Sequence, residues 1–455
     1  MTHGQPDDVQ IERAGEQASP AAPNDQESVY HEQKVSWLEL FFDLIFVVAF
    51  DQLAKRLGQT TGSAEHALNL AALAEFGLLF VAVWWAWAGN TTFAARYGNE
   101  SRLYRWGTLA QLISLGMIAL TLRGDLSDTG PAFALAYGAG RMIQAGMYWA
   151  VWRRGGEGAA FAGRMVLAFG AAAGLWLVSA LLEGGSAAQI GLWCAALLID
   201  VLTPVLSLPH QRRALPHEGH LPERVGLLQI IALGAIVTEI VGGSRQQALG
   251  WPNLLPALAA IVAVVALWRL YFDQARALPL LGARVEGRVG RMLAWLYGHL
   301  PFTLGVVVLG VGLGHGLAAA GAAEDALSQQ LVAAALSGAL LTLAFLRWNS
   351  LRVTHRFFPD RGLPALLLGA ALAAGLAFVD LDTVGLHLAV AALTVGLALI
   401  VAGDPVTRRL GRLEEQVMER LERGQLSAME DVPAGEGAAQ RPGTAAGGRS
   451  SDTSA

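Results

Sequence analysis

Apolar runs of about twenty residues recur along almost the whole chain, between residues 37 and 403. A helix rises about 1.5 Å per residue, so such a run spans a hydrocarbon layer of about 30 Å. Backbone N–H and C=O groups in that layer must be paired within the segment itself, which leaves helices as the economical solution. Twelve runs can be placed, near 37–57, 68–90, 104–122, 132–152, 162–182, 187–207, 225–243, 252–274, 293–318, 328–347, 363–380 and 382–403. The expected fold is all-α, a polytopic transmembrane bundle of about twelve spans. Composition agrees: of 455 residues, 54% are hydrophobic and 15% charged, against about 25% charged in soluble domains.

The formal net charge of −5 sits mostly in the tails, and points away from a nucleic-acid partner. The single cysteine, Cys194, excludes an internal disulfide or a cysteine-based zinc site. Residues 1–34 are polar and lack the apolar core of a cleavable signal peptide. They read as a disordered cytoplasmic tail, with the first helix as insertion signal. At the other end, Val406, Leu410, Leu413, Val417 and Leu421 recur at helical spacing. They make 404–423 an amphipathic juxtamembrane helix, with a self-association seam, and so a homo-oligomer, as the sharper alternative. Residues 424–455, rich in Gly, Ala and Ser, read as a second disordered tail.

Arginine placement gives a direction. Loops after even-numbered helices carry seventeen Lys and Arg, while those after odd-numbered helices carry four: Lys55, Arg56, Arg123 and Arg245. The positive-inside rule then places both termini in the cytoplasm of a multi-pass cell-membrane protein. Trp84, Trp85 and Trp87 fall at the expected cytoplasmic end of the second helix and read as an aromatic belt.

Landmarks repeat. Glu39 and Glu223 stand 184 residues apart, as do Trp84 and Trp268, and Arg141 has a looser counterpart in Arg347. Two parallel six-helix halves are expected, at 35–207 and 225–403, joined by a cytoplasmic loop at 208–224. The offset projects Asp51 onto Ala235, with Glu239 one turn further on.

The charges inside the apolar runs are the functional signal. Each ionisable group deep in lipid costs on the order of 2.5–3.5 kcal/mol on insertion scales. Glu39, Asp43, Asp51, Glu75, Asp200 and Glu239 all fall there, with Arg141 near the bilayer middle. Glu39 and Asp43, four apart, share a helix face, and Asp51 is turned about 80° from Asp43. One reading is a proton or cation relay with Arg141 as switchable counter-ion. The other is a pair of Arg141 with Asp43 or Glu39 that only locks the fourth helix to the first. One arginine cannot neutralise all the acids, which favours traffic of a proton, cation or small solute.

Other motifs say less. His217-x-x-His220 reads as a solvated loop rather than a metal site, and His299, His315 and His387 as packing residues. Gly310, Gly312, Gly314 and Gly316 form overlapping GxxxG pairs for close helix packing. No phosphate loop, nucleophile elbow or Ser–His–Asp pattern is visible. No cofactor or metal is implied, and an enzyme is the less favoured class.

The stretch WLELFFDLIFVVAF (37–50) resembles the signature of the bacterial low temperature requirement A (LtrA) membrane proteins. Supporting segments are Trp84-Trp85-Ala86-Trp87, Tyr137 with Arg141, HLPERVGLLQIIALG (220–234) and LWRLYFD (267–273). The resemblance carries over to Glu39, Phe41, Phe42, Asp43, Arg141, His220, Glu223, Arg224 and Gly234. It implies a membrane protein linked to growth in the cold, with no established molecular activity. The family usually shows Leu-Gly-Glu where this chain has Leu233-Gly234-Ala235. The expected function is a proton- or ion-coupled transporter or ion pathway in the lipid bilayer. The alternatives are a non-catalytic membrane factor of stress and cold adaptation, or a membrane-embedded lipid-modifying enzyme.

Overall fold

A computed structural model of the chain describes residues 33–61, 70–244, 250–318, 326–354 and 359–423. The expected tails lie outside these residues, apart from 33 and 34, and so do Arg245 and Arg356 of the charge count. The described residues form fifteen α-helices: α1 (Trp37–Thr61), α2 (Leu70–Tyr97), α3 (Arg102–Thr121), α4 (Leu126–Arg154), α5 (Ala159–Ser179), α6 (Ala187–Leu206), α7 (Leu208–Gln211), α8 (His220–Ser244), α9 (Trp251–Gln274), α10 (Leu278–Glu286), α11 (Val289–Ala318), α12 (Ala326–Val353), α13 (Gly362–Gly375), α14 (Thr383–Gly403) and α15 (Pro405–Glu422).

Every expected apolar run coincides with one of the longer helices. Among the described residues, eight helices are long and apolar enough to cross a membrane: α2, α5, α6, α8, α9, α11, α12 and α14. The protein is a multi-pass membrane protein. The others diverge for local reasons: α1, α3 and α4 carry more polar side chains, and α13 has 14 residues before a single 3-10 turn. Side chains set the starts of several helices. Ser101 Oγ accepts from Tyr104 N–H at 3.1 Å, and Asp382 Oδ1 from Gly385 N–H at 2.8 Å.

In the N-terminal part, α1 packs on α2 and α3, α4 on α3 and α5, and α5 on α6. In the C-terminal part, α8 packs on α9 and α11, α12 on α11 and α13, and α14 on α9 and α13. The two parts meet where α1 and α2 touch α8 and α11. Most of α11 is buried, and its glycines explain why. A Cβ at Gly310 would stand 3.1 Å from the backbone of Ile236, and one at Gly314 2.7 Å from Glu239 O. Both therefore let α8 approach closely, while Gly312 faces Val332 of α12. The close packing expected of this motif is present.

Three expectations change. Trp84, Trp85 and Trp87 are buried within the bundle and form no interfacial belt. Helix α8 begins at His220, five residues before the expected start, so the segment 208–224 holds α7 and the first turn of α8. The apolar stripe of α15 is covered within the chain: Val406, Leu410, Leu413 and Val417 pack on Leu278 and Leu281 of α10 and on Val353. That stripe is therefore occupied and offers no seam for self-association.

Candidate functional site: a buried carboxylate–guanidinium cluster

Helix α1 has two faces. Leu40, Phe41, Leu44 and Val48 are exposed at lipid-facing positions, while Glu39, Phe42, Asp43, Phe46, Ala49, Phe50 and Leu53 form the buried stripe. The two acids thus enter the bundle with a run of phenylalanines beneath them. Ser36 and Glu39 make a capping box at the helix start. Glu39 Oε2 accepts from Ser36 N–H at 2.8 Å, from Ser36 Oγ at 2.9 Å and from Asn99 Nδ2 at 2.7 Å.

The partner of both acids is Arg224, in the first turn of α8. Its Nη1 donates to Glu39 Oε1 at 2.8 Å, its Nη2 to Asp43 Oδ1 at 2.7 Å and its Nε to Asp43 Oδ2 at 3.0 Å. Asp43 is thus held bidentately, the geometry for which a guanidinium is suited and an ammonium is not. Trp87 Nε1 of α2 donates to the same Oδ1 at 2.8 Å. His220 Nε2 lies 3.0 Å from Glu39 Oε1. Glu39, Asp43, His220, Arg224 and Trp87 are all buried. This cluster ties α1, α2 and α8 together at one end of the bundle.

From it a chain of neutral polar groups runs inward. Tyr104, beside Arg224, donates from its hydroxyl to Asn90 Oδ1 at 3.2 Å. Asn90 Nδ2 donates to Thr108 Oγ1 at 3.0 Å and to Gln111 Oε1 at 2.9 Å. Gln111 bonds to Gln144, and Gln144 Nε2 donates to Gly89 O at 3.1 Å. A Cβ on Gly89 would stand 3.0 Å from Arg141 Nη1, so the chain ends beside that guanidinium.

Arg141 is buried on α4. Its Nε is 3.1 Å from Asp200 Oδ2 of α6, and its Nη2 donates to the Tyr137 hydroxyl at 2.7 Å. Neither oxygen of Asp200 receives a hydrogen bond among the described residues. A small cavity of about 20 Å³ lies between Phe42, Phe46, Gln111, Ser114, Tyr137 and Arg141. A water needs about 10–15 Å³ of such space, so one would fit beside Arg141. Neither Asp43 nor Asp51 lines this cavity.

The structure therefore redraws the expected pairing. Arg141 pairs with Asp200 and with neither Asp43 nor Glu39; Arg224 is the cation that meets those two. Asp51 leaves the seam as well. It is half-buried at the edge of the α1 stripe, accepts from Lys55 Nζ at 2.6 Å, and shares an outer cavity with Glu239 of α8. Glu239 thus does lie near Asp51, on the helix where the repeat offset places Ala235. Glu75 is claimed by Arg56, whose Nε donates to it at 2.9 Å. Among the positions carried over by resemblance, Phe42 is buried, Phe41 and Glu223 are exposed, and Gly234 has open space where a Cβ would stand.

A second buried arginine node lies in the C-terminal part. Arg347 of α12 donates from Nη1 to Gln274 Oε1 at 2.6 Å and to Thr407 Oγ1 at 2.9 Å. It also bonds to Asp360 and Asp404. The Arg347 guanidinium, through its hydrogen bond and its charge, holds the Asp360 carboxyl below the usual value against the pull of burial.

These features define an integral membrane protein of many helices whose charged groups are paired inside the bundle. The chain belongs to the bacterial low temperature requirement A (LtrA) family, whose model matches residues 34–401. It is also similar to an uncharacterised protein of Rhizobium meliloti (strain 1021), with 29% identity over 343 residues, 72% of this chain and 79% of that protein. No solved structure matches the chain.

Proposed function

We propose that this protein is a proton-coupled membrane carrier or proton pathway of two parallel six-helix halves, spanning twelve times with both termini in the cytoplasm. The neighbour relations support the halves. Each helix pair in contact among α1, α2, α3, α4, α5 and α6 has its counterpart among α8, α9, α11, α12, α13 and α14, although α9 packs broadly on α14 where α2 only touches α6, and the contacts of α11 with α9 and α14 have no counterpart. Each half also sets an arginine against an aspartate: Arg141 with Asp200, and Arg347 with Asp404. Gln274, which meets Arg347, stands 184 residues after Asn90, the offset that relates Glu39 to Glu223.

The observation that carries the reading is Asp200. A buried carboxylate with one guanidinium beside it and no hydrogen-bond donor on either oxygen is held far less firmly than Asp43. Gaining a proton there breaks no hydrogen bond among the described residues. Protonation would release Arg141 toward Tyr137 and the Gln111–Gln144 chain and loosen α4 from α6. The Glu39–Asp43–Arg224 cluster, which joins the two halves, acts as the closed end of the path. A second reading, a membrane factor of cold adaptation that moves nothing, is favoured by the complete hydrogen bonding of Glu39. There the charges serve only as clasps.

The test is proton flux into vesicles that enclose a pH-sensitive dye, driven by a potassium diffusion potential. Wild-type protein is expected to acidify the lumen and Asp200→Asn to abolish this, while Asp51→Asn leaves it intact. Equal flux in wild type and Asp200→Asn, or in wild type and protein-free vesicles, rejects the pathway in favour of the clasp.

A further inference from the structure

Lys55, Arg56, Arg123 and Arg245 are the four Lys and Arg on the cation-poor side of the chain; Lys55 and Arg56 stand in the last turns of α1 and Arg123 just after α3. Three of them, Lys55, Arg56 and Arg123, line one groove of about 640 Å³ between α1 and α3. This convergence is unlike the scatter expected of solubilising charges. Among the described residues no acidic side chain lines the groove, although Asp51 and Glu75 pair with Lys55 and Arg56 from outside it. Arg123 is exposed and makes no ion pair among the described residues.

Below the cations the groove turns apolar, with Ile45 and Val48 on one wall and Ala119 and Leu120 on the other. Val48 and Leu120 are largely exposed. From Ile45 to Gln59 the helix rises about 21 Å at 1.5 Å per residue. That covers one leaflet of about 15 Å of hydrocarbon and the headgroup level above it. Lys55 stands about 27 Å along α1 from Trp37, at the far interface. The floor is open at Gly116, where a Cβ would meet nothing within 4 Å. A volume of this size lies within the range of about 300–1,000 Å³ typical of ligand sites.

We propose that this groove binds an anionic phospholipid of the leaflet opposite the chain termini. Its phosphate lies between Lys55, Arg56 and Arg123, and one acyl chain lies along Val48 and Leu120 toward Ile45. Gln52 and Gln59 supply neutral donors beside the phosphate. The site is independent of Asp200 and of any proton traffic.

Native mass spectrometry of the full chain tests this, with phosphatidylglycerol, phosphatidylcholine of the same acyl chains, and inorganic phosphate as separate probes. Phosphatidylglycerol should remain bound where phosphatidylcholine does not. The double variant Lys55→Gln/Arg123→Gln, which spares the Arg56–Glu75 link, should weaken it roughly tenfold, less than two unpaired surface cations would give because Lys55 also serves Asp51. Gly116→Leu, whose Cβ would meet nothing within 4 Å, narrows the apolar floor and should weaken phosphatidylglycerol while leaving inorganic phosphate unaffected. Equal retention of the two lipids, or insensitivity to both variants, overturns the proposal. Binding of inorganic phosphate as tight as that of the lipid overturns the lipid as occupant.

Discussion

Arg224 Nη2 lies 2.7 Å from Asp43 Oδ1, across 181 residues of sequence, and this bond fastens the first turn of α8 to the inward face of α1. Burial makes the arrangement asymmetric in energy. An intact, fully bonded cluster contributes modestly, but removing one partner strands a charge and costs about 3–5 kcal/mol. Asp43→Asn and Arg224→Met should both lower the unfolding temperature in detergent substantially. Arg224→Lys should fall between them and wild type, because one ammonium cannot fork across both oxygens of Asp43. Trp87→Phe, which removes only a donor, should cost about 1–3 kcal/mol. A wild-type melting curve for Arg224→Lys would show that the bidentate geometry does not contribute.

The acids of this cluster were legible in the sequence because a carboxylate in an apolar run is expensive wherever it occurs. Their partner was not. Arg224 stands next to a histidine- and arginine-rich stretch, where the positive-inside rule already accounts for a cation; the family resemblance marks the position, but no spacing in the sequence pairs it with Glu39 and Asp43. Trp87 was hidden by its neighbours in the same way, since three tryptophans near a helix end suit an interface equally well. Asn90, Gln111 and Gln144 were missed because an amide carries no charge to draw attention, although a neutral amide inside a span also needs a partner. Arg141 and Asp200 were both recognisable as deep charges. Pairing them required the packing of α4 beside α6, which spacing alone does not reveal. The helices were legible because lipid leaves the backbone few alternatives, whereas the side-chain partners depend on which faces meet.

Outside the bundle, Glu414 gives α15 a pH dependence. Burial pushes its carboxyl above the usual value of 4.5, and the Ala277 N–H at 2.9 Å and Arg276 only partly offset that, while Glu415 reinforces it. The folded-state pKa therefore exceeds the unfolded one. The docked helix favours the protonated acid, so docking is strongest below 4.5 and weakens as pH rises from there through the docked pKa. Asp360 has the opposite sign, and its contribution fades only below its ordinary value of 3.8. Between about pH 4.5 and 7 the change thus belongs to Glu414. Amide exchange across Pro405–Glu422 should quicken with rising pH beyond the intrinsic base-catalysed increase. Glu414→Gln, which keeps an acceptor for Ala277, should remove that excess. An identical excess in the variant would place the titration elsewhere.

The close seam between α8 and α11 makes the last prediction. A Cβ at Gly314 would lie 2.7 Å from Glu239 O and 3.0 Å from Glu239 C, both backbone atoms of a packed helix. Neither atom can rotate aside, so Gly314→Ala must push α11 from α8, and overpacking of this kind costs about 1–3 kcal/mol. Helix propensity alone would push the other way, since alanine is favoured over glycine by about 1 kcal/mol. Gly338→Ala on α12 isolates that term, because its Cβ would meet nothing within 4 Å. Thermal unfolding in detergent should show Gly314→Ala destabilised and Gly338→Ala unchanged or stabilised. If both variants shift upward together, the α8–α11 seam has room that the observed separation denies.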